Sequence, residues 1–187
     1  MDTIEALRAR RSIGKLDGDV PDAELRELIE LATWAPNHKL TEPWRFTVLR
    51  GAARERLGAL WAQIAGRETE LSGEMRDELM RRTAFKPLRA PVIVAVSVRT
   101  DEKPVTAIED FAAASAAVQN MLLAAHARGF GAIWRTGELA YRDEIKTFLG
   151  LDPTDRIVAF VYLGRPAMTA PPPRPRALEE AITVLDA

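Results

Sequence analysis

The chain has 187 residues, 47% of them hydrophobic and 28% charged, with 26 Lys and Arg against 27 Asp and Glu. That is the size and make-up of a globular domain with a packed core, and a formal net charge of −1 gives no general attraction for nucleic-acid phosphates. The absence of cysteine excludes disulfides, thiolate metal sites, Fe–S clusters and thiol nucleophiles, and two histidines, His38 and His126, are too few for a three-His metal site.

Taken in chain order, residues 2–10 form a short helix with Ile4 and Leu7 on one face. The start Met1-Asp2-Thr3-Ile4-Glu5 lacks the basic and apolar regions of a secretory signal. No run approaches the ~18 apolar residues of a membrane span. A cytoplasmic protein with no membrane or nucleic-acid partner is expected. A basic cluster follows: Arg8, Arg10, Arg11, Ser12 and Lys15. Residues 22–34 predict a helix, with Asp22 as N-cap and Leu25, Leu28, Ile29 and Ala32 at i, i+3, i+4, i+7 spacing. Ala35-Pro36 stops it, because the residue before a proline leaves the α region.

Phe46–Leu49 predicts a strand and residues 52–65 a helix with Leu57, Leu60, Trp61 and Ile64 on one side. The stretch 66–88 is charged and weakly patterned; it fits a helix over 73–83 and mobility equally well. Val92–Val98 is β-branched and almost wholly apolar, as a strand covered on both faces would be. Residues 107–128 carry the longest helical pattern, rich in alanine. Small side chains there suit a central core helix or a helix pairing with a second chain. Gly129-Phe130-Gly131 ends it through the left-handed conformation open to glycine. Ala132–Arg135 is a short strand, 141–149 a helix, and Arg156–Leu163 a strand running into Gly164-Arg165-Pro166. Pro171, Pro172, Pro173 and Pro175 then forbid helix and predict an extended arm, with a short closing helix over Ala177–Leu185. With no internal repeat and no linker, one α+β domain over 1–187 is expected, its Pro-rich arm covering about 166–187.

Several catalytic motifs are absent. None of Ser12, Ser72, Ser97 and Ser115 stands in G-x-S-x-G. Gly129-x-Gly131 follows a helix where a dinucleotide fingerprint would open one, and Gly14-Lys15 lacks the phosphate-loop spacing. The cluster Arg10-Arg11-Ser12 has three readings: a solvated helix end, a nucleic-acid patch or a phosphate clamp, since arginine offers a planar fork of donors. Cations recur at strand ends in Pro43-Trp44-Arg45-Phe46, Trp134-Arg135-Thr136-Gly137 and Gly164-Arg165-Pro166. Together they suit a flat aromatic ligand bearing a phosphate.

Four blocks carry a resemblance in order: Arg10-Arg11-Ser12; Ala35-Pro36-Asn37-His38 with Glu42-Pro43-Trp44-Arg45-Phe46; Gly129-Phe130-Gly131-Ala132-Ile133-Trp134-Arg135-Thr136-Gly137; and Leu163-Gly164-Arg165-Pro166. The chain resembles the FMN-dependent nitroreductase superfamily, and within it the small YdjA-like NAD(P)H nitroreductases. The resemblance implies an α+β sandwich with a central mixed or antiparallel sheet flanked by helices. It implies a homodimer with FMN at the interface, touched by both chains. It gives Arg10, Arg11 and Ser12 to the FMN phosphate, ribityl chain and ring edge. Trp34 contacts FMN, His38 reaches it from the partner subunit, Trp134, Arg135 and Thr136 line the flavin, and Arg165 meets the phosphate. The stretch Ala124, Ala125, His126, Ala127, Arg128 and Gly129 meets NADH or NADPH. The implied reaction takes electrons from NAD(P)H to nitroaromatic or quinone-like small-molecule acceptors, in ping-pong order, with the chemistry on FMN and no side-chain catalyst. Dehydrogenation, reductive dehalogenation, flavin fragmentation and non-enzymatic FMN binding are the alternatives on the same fold. Two departures stand out. Relatives carry a lysine near the flavin ring where this chain has Gly14, with Lys15 one residue on. The Asn and Lys that larger relatives carry on a middle helix have no legible counterpart within 66–88.

Overall fold

A computed structural model of the chain describes residues 1–99, 103–173 and 177–185. The core elements follow the apolar runs. Helix α1 covers Thr3–Ala9, with the Asp2 carboxylate accepting from the Glu5 N–H at 2.8 Å. Strand β1 is the two-residue Leu16–Asp17 and helix α2 spans Asp22–Ala32. Strand β2 is Trp44–Arg50, α3 Ala52–Glu68, α4 Gly73–Ala84 and β3 Val92–Val98. The long helix α5 runs Pro104–Ala127; β4 is Gly131–Arg135, α6 Asp143–Leu149 and β5 Arg156–Pro166.

The sheet places β5 against β3, β3 against β2, and β4 and β1 against β5. Every pairing is antiparallel, which settles the mixed-or-antiparallel expectation. Both faces are covered. Val92, Val94, Val96 and Val98 join Leu28, Val118 and Met121 in one core with α2 and α5. Ile93, Ala95, Phe160 and Tyr162 join Leu57, Trp61 and Ile64 of α3 and Ile145 of α6 in the other. The period of two along a strand makes this split. A register shift at Val96/Ser97 opposite β5 puts both Val158 and Ala159 on the α5 side. A bulge of this kind adds one residue and keeps the rest of the strand in phase.

Three local expectations change. Asp22 is not an N-cap: Pro21 takes that place, and Asp22 sits inside the first turn with its carboxylate 2.9 Å from Arg50 on β2. The stretch 66–88 holds a packed helix. Gly58 and Gly66 lie eight residues apart on α3, and a Cβ at either would strike the Ala84 carbonyl (2.2 Å) or the Met80 sulfur (2.6 Å). α4 therefore docks backbone-close on a glycine face, with Thr83 its one buried residue. No helix closes the arm: Ala177–Leu185 carries only a turn at 179–181 and is exposed throughout. Its apolar residues have no chain of their own to pack against. Pro175 lies outside the described residues.

Candidate functional site

The segment from Arg10 to Lys15 passes along the end of the sheet. The Ile13 N–H donates to the Ala132 carbonyl at 3.1 Å, and the Ala167 N–H donates to the Lys15 carbonyl at 3.0 Å. These bonds hold the basic cluster between β4 and the end of β5. Arg10 and Arg11 line a groove of about 360 Å³ with Ile13, Leu122, His126 and Phe130. Burial, and then the neighbouring Arg11 charge, lower the affinity of Arg10 for its proton. Arg11 donates to the Arg8 and Arg10 carbonyls, both at 2.7 Å. Ser12 lies around the corner, in an open cleft between α1 and Pro171–Pro173. The Arg165 guanidinium stacks 4.2 Å from the centre of the Phe130 ring, which ties it to the same groove. Among the described residues no carboxylate pairs with Arg10, Arg11, Arg135 or Arg165.

A second cavity, about 240 Å³, opens beside β4. Trp61, Lys86, Arg135, Thr136, Glu138 and Phe160 line it. Arg135 lies over the Tyr162 ring, 5.3 Å from its centre. Burial pushes the Tyr162 hydroxyl up to about 12 against the opposing pull of Arg135 and Arg89, so the phenol is neutral at pH 7. A Cβ built on Gly14 would lie 3.8 Å from Arg135 Nη2, so the two cationic regions adjoin. Trp134, the neighbour on the strand, faces the other way and packs against the α5 core.

Lys86 is the residue that sequence reasoning missed. It sits in a 3-10 turn, Lys86–Arg89, just before β3. The signal was its distance from the buried strand: six residues before Val92, next to a proline.

Trp34 and His38 sit elsewhere. Trp34 is 76% exposed at the end of α2, its indole N–H donating to Glu30 at 3.2 Å. His38 Nδ1 is 3.5 Å from Glu109 on α5. Thr41 donates to the buried Asp110 at 2.7 Å, which anchors this loop. Lys39, Leu40 and Glu42 all have left-handed backbones, with φ between 44° and 53°. Such conformations in non-glycine residues persist where surrounding contacts over-determine them. At roughly 1.5 Å per residue, about 25 Å of α5 separates Glu109 from His126. One chain therefore brings Arg10, Arg11, His126 and Gly129 together, adjoining Arg135 and Thr136, and leaves Trp34 and His38 at the far end.

The stretch 124–129 divides. Ala125 is fully buried, on the core side of the helix. Ala124 packs against the core, Ala127 is exposed, and Arg128 is paired with Glu27. His126 and Gly129 line the arginine groove, and the His126 Nε2 is buried without a hydrogen-bond partner.

Fold and groove together define an α+β protein with a cationic groove at the C-terminal end of α5. The nitroreductase family model matches residues 7–165, and the chain belongs to that family. It is 36% identical over 172 residues to YdjA of Escherichia coli strain K12, a protein named for NAD(P)H nitroreductase activity, covering 91% of each chain. Identity to YfhC of Bacillus subtilis, with a name of the same kind, is 31%, covering 87% of this chain and 83% of that one. Among solved structures, a nitroreductase-like family protein from Bacillus cereus matches with a TM-score of 0.86 at 28% identity, covering 100% of this chain and 97% of the other. A nitroreductase-type protein from Desulfovibrio desulfuricans, in complex with FMN, matches at 0.68 and 30% identity, covering 100% and 99%. No described helix is long and apolar enough to cross a membrane.

Proposed function

We propose that this chain is an FMN-dependent oxidoreductase that uses NADH or NADPH to reduce nitroaromatic or quinone-like acceptors. One observation carries the reading. Arg10 and Arg11 lie in a groove with apolar walls, and neither forms an ion pair with a described carboxylate. An uncompensated pair of guanidiniums beside Leu122, Ile13 and Phe130 fits a ligand with an anionic end and a flat apolar body. FMN has that form. Arg10, Arg11 and Ser12 would hold its phosphate and ribityl chain, with Arg165 near the phosphate; Arg135 and Thr136 would lie along the ring, and Trp134, packed on the α5 side of β4, would border it from the strand's other face. Bound FMN would supply two-electron redox chemistry that no side chain of this cysteine-free chain offers. His126 and Gly129 remain as the candidate contacts for the nicotinamide nucleotide, with Ala124, Ala127 and Arg128 at its margin. Donor and acceptor use one open site in turn, so ping-pong kinetics are expected.

The working unit in this reading is a homodimer, each chain one domain over 1–187 with its arm over about 166–187. The separation of Trp34 and His38 from Arg10 along α5 supports it, since these residues meet one ligand only if a second chain brings its own pair. Trp34, Leu40, Val105 and Ile108 are all exposed around that end, an apolar surface suited to a partner.

The test is an absorption spectrum of protein loaded with FMN, followed by anaerobic addition of NADH and NADPH. Flavin bands that bleach with either nucleotide are expected. Protein that takes up no FMN would overturn the reading, and flavin that neither nucleotide bleaches would remove the donor assignment.

A further inference from the structure

We propose that Arg135 is the cation that sets the reduction potential of the flavin in this chain, in the space that Gly14 leaves open. The inference rests on the FMN reading above. Three observations carry it. A Cβ on Gly14 would meet only the Arg135 guanidinium, at 3.8 Å, an ordinary contact distance. The Arg135 side chain reaches that place from β4, across the Tyr162 ring. It also lines the cavity that holds Lys86 and Thr136.

The charge of Arg135 is available to a ligand. None of the described carboxylates pairs with it, and its Nε is buried without a hydrogen-bond partner. Tyr162 beneath it is held neutral by burial, so no phenolate cancels it. Glu138 is the one acid on the cavity wall, which Lys86 also lines. A guanidinium in a half-buried wall acts through a lower effective dielectric than water does, so its field on a neighbour is strong. A ring that gains negative charge on reduction is held more tightly there reduced than oxidised. Arg135 therefore favours the reduced cofactor, whereas Arg10 and Arg11 hold both forms alike through the phosphate. Gly14 lies among the residues without a positive φ, so its smallness is about room and not about backbone conformation.

The test measures the midpoint potential of bound FMN in the full-length protein, for wild type, Arg135→Gln, Arg135→Lys, and Arg135→Gln combined with Gly14→Lys. Arg135→Gln should cut the preference for reduced over oxidised FMN about tenfold, which for a two-electron couple is a potential about 30 mV more negative. Arg135→Lys should keep most of the wild-type value. Gly14→Lys in the Arg135→Gln background should restore it, because the vacated space admits a side chain from position 14. Arg135→Gln that keeps its FMN with an unchanged potential overturns the proposal and leaves the flavin reading intact. Wild type that takes up no FMN overturns both. If Arg135→Gln does not fold, Arg135→Met, which keeps an unbranched side chain over the Tyr162 ring, takes its place: an unchanged potential there overturns the assignment.

Discussion

The two ends of α5 differ in almost every physical respect. At the C-terminal end, Gly129 turns the chain with φ 75°, and Arg10, Arg11 and Phe130 wall a groove braced by backbone bonds from β4 and β5. No described carboxylate pairs with Arg10, Arg11 or Arg165 there, and His126 Nε2 is buried without a hydrogen-bond partner. At the N-terminal end, Trp34, Leu40, Val105 and Ile108 stand in solvent. The polar groups near them are paired: His38 with Glu109, Thr41 with Asp110. One end lacks an anion and the other lacks an apolar cover. In the proposed two-fold assembly, the apolar end of one chain would be covered by its partner beside the partner's arginine groove, and the FMN phosphate would supply the anion.

Changes at the two ends should separate these roles. The largest effect is expected from Ile108→Asp. A two-fold interface receives the buried charge twice. The protein should sediment as a monomer and lose most of its bound FMN. A stable dimer that keeps its flavin would show that this face is not the interface.

Arg10→Ala ranks next and should leave the assembly unchanged. A hydrogen bond to a charged group is worth about 1.5–3 kcal/mol, so FMN affinity should fall roughly tenfold to a hundredfold, read by flavin fluorescence on titration. Equal affinity with and without Arg10 would move the phosphate site away from the groove.

The smallest effect is expected far from both ends. Arg67 pairs with Glu144 at 2.6 Å on the surface, and this hydrogen bond, then one from Glu144's own backbone, and last the Arg67 and Arg142 charges, hold the Glu144 carboxyl below its usual range. A depressed folded-state value stabilises above the unfolded carboxyl's titration and is lost as pH falls through the folded one. Arg67→Ala should raise the Glu144 titration toward the ordinary range, followed by NMR. Thermal stability at pH 7 should barely move, because exposed pairs contribute little, and flavin binding should not change.

The amino-acid sequence by itself determined the two central strands and the long helix. Val92–Val98 is apolar but for Ser97, and Arg156–Leu163 is apolar beyond its first residue, as burial on both sheet faces demands. The alanine pattern of α5 fixed a helix, and tertiary packing answered whether it faced a core: Ala113, Ala114, Ala117 and Ala125 are buried, while Ala112 and Ala127 stay exposed. The basic cluster near the start and the glycine turn before β4 were legible too, because charge and left-handed backbone are local properties. What remained illegible was whatever depends on a neighbour distant in the chain. α4 has almost no apolar stripe, and it is held by the glycine face of α3. Asp22 was drawn from a cap to Arg50 on the adjacent strand. Lys86 reached the cavity beside Arg135 only through the turn that sets β3 in the sheet. Sequence periodicity records how a segment meets water and a generic core; contact between particular side chains is decided when the sheet closes and brings segments from far along the chain together.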